Sequence, residues 1–194
     1  MEQRREKLRS SIENLLMLLG ACGLVVASLV YADAWFGSRQ AVAEFKAQQI
    51  EAAAPATPVT PANNDGTLAL LSIARLELEV PIFSGTSKTT LNRGAGVVDG
   101  TSLPGTAGNI VISAHRDSFF RPLKDIRIGD VIELELRDGM QRFKVGETFI
   151  TDPLDVSVLE PTDTPTLTLI TCYPFYFVGF APERFIVRAT LFDS

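Results

Sequence analysis

Apolar and polar residues follow three different patterns along this 194-residue chain. Leu15 to Ala32 is a run of 18 residues without a charged side chain. Arg39 to Ala54 (RQAVAEFKAQQIEAAA) is rich in strong helix formers and predicts a helical stalk. Pro55 to Gly66 (PATPVTPANNDG) has no apolar face and three prolines, which predicts an extended linker. From Leu68 onward the pattern turns to short strands. Val131–Arg137 alternates strictly, with Ile132, Leu134 and Leu136 on one face and Glu133, Glu135 and Arg137 on the other.

Other strands are expected at Leu68–Leu76, Leu78–Phe83, Asn109–Ala114 (NIVISA), Gln141–Thr151, Thr166–Thr171 (TLTLIT) and Arg184–Phe192. Asp138-Gly139 between two of them is a hairpin signal. Thr89–Gly100 is Gly-rich with room for one turn of helix, and Phe119–Ile126 suits a short helix with Pro122 in its first turn. Seven or eight short strands with few helices predict an all-β domain, a closed barrel or a sandwich. The expected organisation is a cytoplasmic N-terminus over 1–14, a membrane anchor over 15–36, a stalk and linker over 37–66 and a β-domain over 67–194.

At ~1.5 Å per residue the charge-free run is ~27 Å long, close to the hydrocarbon core of a bilayer. Four basic residues precede it (Arg4, Arg5, Lys7, Arg9), Asp33 follows it, and Tyr31, Trp35 and Phe36 cluster at its far end. The positive-inside rule then puts the N-terminus in the cytoplasm and the β-domain outside. Two other readings compete: signal-peptidase cleavage at Ala32-Asp33-Ala34, and lipidation at Cys22 within Leu19-Gly20-Ala21-Cys22. The run is long for a cleaved signal and continues past Cys22, which favours a retained single-pass anchor.

Composition narrows the function. Apolar residues make up 46% of the chain, enough for a packed core besides the anchor. The net charge is −5, and residues 33–194 hold 14 basic against 20 acidic side chains, so a nucleic-acid partner is not expected. Of the two cysteines, Cys22 falls in the anchor and Cys172 in the external domain, which leaves Cys172 unpaired where thiols tend to oxidise. A buried, inert thiol is the plain alternative.

His115, the single histidine, directly follows NIVISA; Cys172 directly follows TLTLIT; Arg184 opens the last strand. Side chains at strand ends can converge on one barrel rim. A thiol nucleophile needs ionising, which an imidazole assists, and a guanidinium offers planar donors to a developing oxyanion. No third group orienting the imidazole can be assigned. Asp117 is near His115 in sequence without any indication of where it points.

These residues carry a resemblance. Ser113-Ala114-His115-Arg116-Asp117 with Phe119-Phe120-Arg121-Pro122-Leu123 resembles the histidine region of sortases, particularly class D. Thr168-Leu169-Ile170-Thr171-Cys172 matches the family's TLxTC signature, and Arg184 lies twelve residues beyond the cysteine. Tyr173-Pro174-Phe175 is similar to classes D and E. The likeness spans Leu68 to Ser194. It implies a closed eight-stranded sortase β-barrel with short helices. It also implies a membrane-anchored cysteine transpeptidase that cleaves an LPxTG-like sorting motif after its Thr. Cys172 would hold the thioacyl intermediate and pass it to an amine of peptidoglycan or of a pilin lysine. In the family's mechanism, imidazolium is the general acid for the leaving amine. Thr171, Tyr173 and Phe175 are candidates for substrate contact, with strand and loop packing as their plain alternative. No cofactor is expected, and no carboxylate cluster with Ca²⁺-loop spacing is present from which to infer calcium dependence.

An L,D-transpeptidase also pairs Cys with His in a β-domain, but Leu169-Ile170-Thr171 lacks its Ser-x-Gly pattern before the cysteine. The reading from another class is a non-catalytic, membrane-tethered β-domain that binds a surface protein.

Overall fold

The computed structural model describes residues 66–177 and 179–193. It also describes Asn14, residues 16–22, Leu24, Val25, Ser28 and Val42, all of them helical. The expected anchor over 15–36 and the stalk and linker over 37–66 fall largely outside the described residues. Among the described residues no helix is long and apolar enough to cross a membrane.

The domain is a closed barrel of eight strands. They are β1 (Thr67–Ile73), β2 (Leu78–Ser84), β3 (Ala95–Val97), β4 (Asn109–Ser113), β5 (Val131–Leu136), β6 (Gly139–Thr151), β7 (Thr166–Tyr173) and β8 (Glu183–Asp193). Around the barrel the order is β1-β2-β3-β4-β7-β8-β6-β5, closed by pairing of β1 with β5. Pairs β2/β3 and β4/β7 are parallel, the others antiparallel. Period-two alternation builds the interior. Ile132 and Leu134 of β5, Leu167 and Leu169 of β7, and Ile110 and Ile112 of β4 are fully buried in one cluster, while Glu133 and Glu135 face away.

The connections differ from the sequence expectations in three places. The first strand stops at Ile73, because Ala74–Leu76 forms a 3₁₀ turn that ends on Glu77 at φ 51°. The Gly-rich segment holds α1 (Lys88–Arg93), capped by the Ser87 hydroxyl accepting from Thr90 N, and then β3, which was not anticipated. Gly96 of β3 has a physical reason to be glycine: a Cβ there would sit 2.1 Å from the Gly85 carbonyl oxygen. The β5–β6 hairpin turns at Arg137-Asp138 rather than at Asp138-Gly139, since Leu136 pairs with Gly139. The short helix expected near Pro122 is a 3₁₀ turn over Arg121–Asp125 with Pro in its first turn.

Candidate active site

The parallel ladder between β4 and β7 pairs Val111 with Thr168 and Ser113 with Ile170. It continues past the end of β4, where Ala114 N donates to Ile170 O at 3.3 Å. Cys172 lies within β7 two residues beyond Ile170, and His115 follows two residues beyond Ser113, just past the end of β4. On the other side of β7, Cys172 is paired with Arg184 of β8, and Arg184 with Thr151 of β6.

Facing follows from burial. Ile112 and Ala114, Leu169, and Val187 belong to the interior cluster. Cys172 and Arg184, paired across β7 and β8, have the opposite parity and share the outer face there, and His115 directly follows Ala114, whose N–H is bonded to Ile170 O of β7. His115, Cys172 and Arg184 are all partly buried. The next level of this face is mostly apolar, with Ser113, Ile170, Ile186 and Phe149 side by side. Beyond it Arg188 pairs with Glu147 at 3.0 Å and stacks over the Phe149 ring. A thiol and a guanidinium on one strand face, with an imidazole just past the adjoining strand end, are the group types that acyl transfer through a thiol uses.

Arg184 Nη1 donates to Glu183 O at 3.0 Å and more weakly to Ala181 O at 3.4 Å. These bonds hold the side chain beside the rim. No carboxylate hydrogen-bonds the His115 ring among the described residues, and Asp117 is exposed. The His115 carbonyl accepts from Phe120 N at 3.0 Å, and Phe120 is fully buried, which fixes the turn after the histidine to the core.

The three residues considered for substrate contact are placed differently. Thr171 is 2% exposed, has interior parity, and donates its hydroxyl to Ala114 O at 2.9 Å. It ties β4 to β7 one step before His115 and Cys172 rather than lining the outer face. Tyr173 and Phe175 are half-buried and pack on Phe185, with ring centroids 6.3 Å and 5.3 Å from it. The three rings close the barrel end next to Cys172.

Two residues that matter at this site carry no signal along the sequence. Asn109, at the start of β4, is buried. Its amide donates to Val158 O at 3.0 Å and Glu160 O at 2.9 Å, while its oxygen accepts from Thr168 Oγ1 at 2.7 Å. It pins the β6–β7 connection to the strands that carry the histidine and the cysteine. Arg116, next to His115, is buried against the β7–β8 loop and donates to three of its carbonyls. Only the fold reveals either role. On the β6–β7 connection, Asp155 accepts from Thr151 Oγ1, Ser157 Oγ and Ser157 N, and these bonds hold its carboxyl below the usual range.

Comparison with known proteins agrees with the architecture. The family model for the sortase domain matches residues 71–192. Sortase D of Bacillus subtilis (strain 168) is 36% identical over 119 residues, which is 61% of this chain and 60% of that protein. The chain spans between 51% and 60% of the length of the curated relatives it matches. Among solved structures, a Clostridium perfringens Sortase D5 transpeptidase superposes with a TM-score of 0.64 at 23% identity, covering 84% of this chain and 99% of that one. Sortase C1 of Streptococcus suis superposes with a TM-score of 0.61 at 26% identity, covering 66% and 74%.

Proposed function

The chain belongs to the sortase family, and from that premise we propose that it is a membrane-anchored cysteine transpeptidase acting on LPxTG-like sorting motifs outside the cell. The observation that supports the reading is the pairing of Cys172 with Arg184 across β7 and β8, with His115 just past the end of the neighbouring β4. The Cys172 thiolate attacks the Thr carbonyl carbon of the motif, and a C–S bond forms. Arg184 donates to the oxygen that becomes negative. The C–N bond of the scissile amide breaks as His115 gives its proton to the leaving amine. An acceptor amine then attacks the thioester, the neutral His115 takes the proton that amine loses, the C–S bond breaks to return the Cys172 thiolate, and a new amide links substrate to acceptor. Ile170 and Phe149, both partly exposed, offer the Leu-Pro part of the motif an apolar floor. The charge-free run over 15–32 with its basic N-terminal flank supports the anchored, outward-facing topology.

One experiment tests chemistry and topology together. Intact spheroplasts carrying the full chain are given a membrane-impermeant, tagged sorting peptide, and Cys172 is analysed by mass spectrometry for the thioacyl adduct. The adduct is expected on the wild type and absent from Cys172→Ala. Labelling only in inverted vesicles would reverse the topology and keep the chemistry. No adduct in either preparation would leave the non-catalytic binding domain as the better reading.

A further inference from the structure

The guanidinium next to the histidine does something the proposed chemistry does not use. Arg116 is 9% exposed. Its Nη1 donates to Pro174 O at 2.8 Å, and its Nη2 donates to Phe177 O at 2.5 Å and Gly179 O at 3.3 Å. Its carbon lies 6.0 Å from the centroid of the Phe177 ring. Burying a guanidinium is costly unless its donors are met. Here they are met by main-chain carbonyls of a single loop, which fixes that loop's path.

The loop needs such a fixture. Tyr176, Phe177 and Phe180 are exposed, and Phe175 is the ring that joins the interior cluster, so little apolar packing holds these three rings of the loop. The same loop runs from Cys172 to Arg184. One side chain therefore couples the strand end that carries His115 to the segment between the thiol and the guanidinium of the site.

We propose that Arg116 is a positioning residue that holds the β7–β8 loop as one wall of the peptide groove. It governs how the sorting peptide is bound, not how the bond is broken. The inference rests on the function proposed above for the peptide, and on the geometry alone for the loop. Arg116 does not touch the reacting atoms in this role, so its loss acts through the loop.

The test uses the full chain with Arg116→Ala and Arg116→Lys, the second keeping a cation but losing the planar five-donor fork. Arg116→Ala is expected to raise KM for the peptide about ten- to a hundredfold, the range of lost charge-assisted hydrogen bonds, with kcat little changed. Amide exchange over 176–180 should quicken while exchange in β4 and β7 stays slow. Arg116→Lys should recover part of both, and millimolar guanidinium should lower the KM of Arg116→Ala. Unchanged loop exchange, or a fall in kcat and thermal stability at constant KM, would overturn the proposal. Where alanine prevents folding, the lysine variant is judged by the same two readouts. A wild-type chain that turns over no peptide defeats the functional reading by itself. The placement of Arg116 then stands or falls on loop exchange and on the alkylation rate of Cys172 by bulky against small reagents.

Discussion

Arg184 and Cys172 are partners across an antiparallel ladder, so their Cα atoms are ~4.5–5.5 Å apart and their side chains rise from the same face. A guanidinium there cannot transfer protons, but in the proposed mechanism it can donate to the oxygen bonded to the carbon under attack. The charge on that oxygen is absent in the ground state, so the interaction strengthens only as the reaction proceeds. Arg184→Ala is expected to lower kcat by ~10²–10³, the usual cost of one oxyanion donor. Arg184→Lys should be impaired as well, because the planar fork is lost. If Arg184 merely docked the peptide, KM would rise with kcat intact. Separate measurement of kcat and KM decides, and a wild-type kcat in either variant removes the oxyanion role. The placement of His115, Cys172 and Arg184 near strand ends is legible in the sequence, because each adjoins a clear strand pattern. Arg116 is not, because its meaning lies in carbonyls 58 to 63 residues away.

Elements were legible to different depths. Strands with clean alternation, such as β5, could be read almost to their ends. The three-residue β3 could not, because Ala-Gly-Val has too few side chains to show a period. The β5–β6 register could not be read either. Shifting the pairing by two residues keeps every side chain on its face, so alternation does not choose between turns at Arg137-Asp138 and Asp138-Gly139. The β6–β7 connection depends on Asn109, whose amide satisfies two of its carbonyls and whose oxygen takes the buried Thr168 hydroxyl. Asn109→Ala would leave these groups bare at a cost of about 1–3 kcal/mol for each that stays buried and dry. The expected result is a lower thermal midpoint together with faster amide exchange across Val158–Glu160. An unchanged midpoint with unchanged exchange would show that the connection is held by other contacts.

At the scale of the whole barrel, the seam between β1 and β5 is reinforced from outside. Arg75, in the 3₁₀ turn after β1, donates from Nε to Asp130 Oδ1 at 2.6 Å and from Nη2 to Asp130 Oδ2 at 2.5 Å. It also donates to Asp125 O at 2.6 Å, and Arg127 N donates to Asp130 Oδ2 at 2.8 Å. The Arg75 hydrogen bonds, with smaller help from the Arg127 amide, hold the Asp130 carboxyl below its ordinary range. A carboxyl depressed in the folded state stabilises the fold at pH values above its unfolded pKa, ~3.9 for Asp. That contribution fades as pH falls through the depressed folded value, because the folded chain then binds the proton the unfolded chain already holds. The sign gives a specific expectation for Asp130→Asn, which keeps the shape and removes the charge. The wild type should melt above the variant at neutral pH, and the gap should narrow as pH drops below ~4. Arg75 is partly exposed, so added salt should narrow the gap too. Melting curves of both chains from pH 7 down to pH 2 measure this, and a gap that stays constant over the whole range would mean that the pair does not hold the seam.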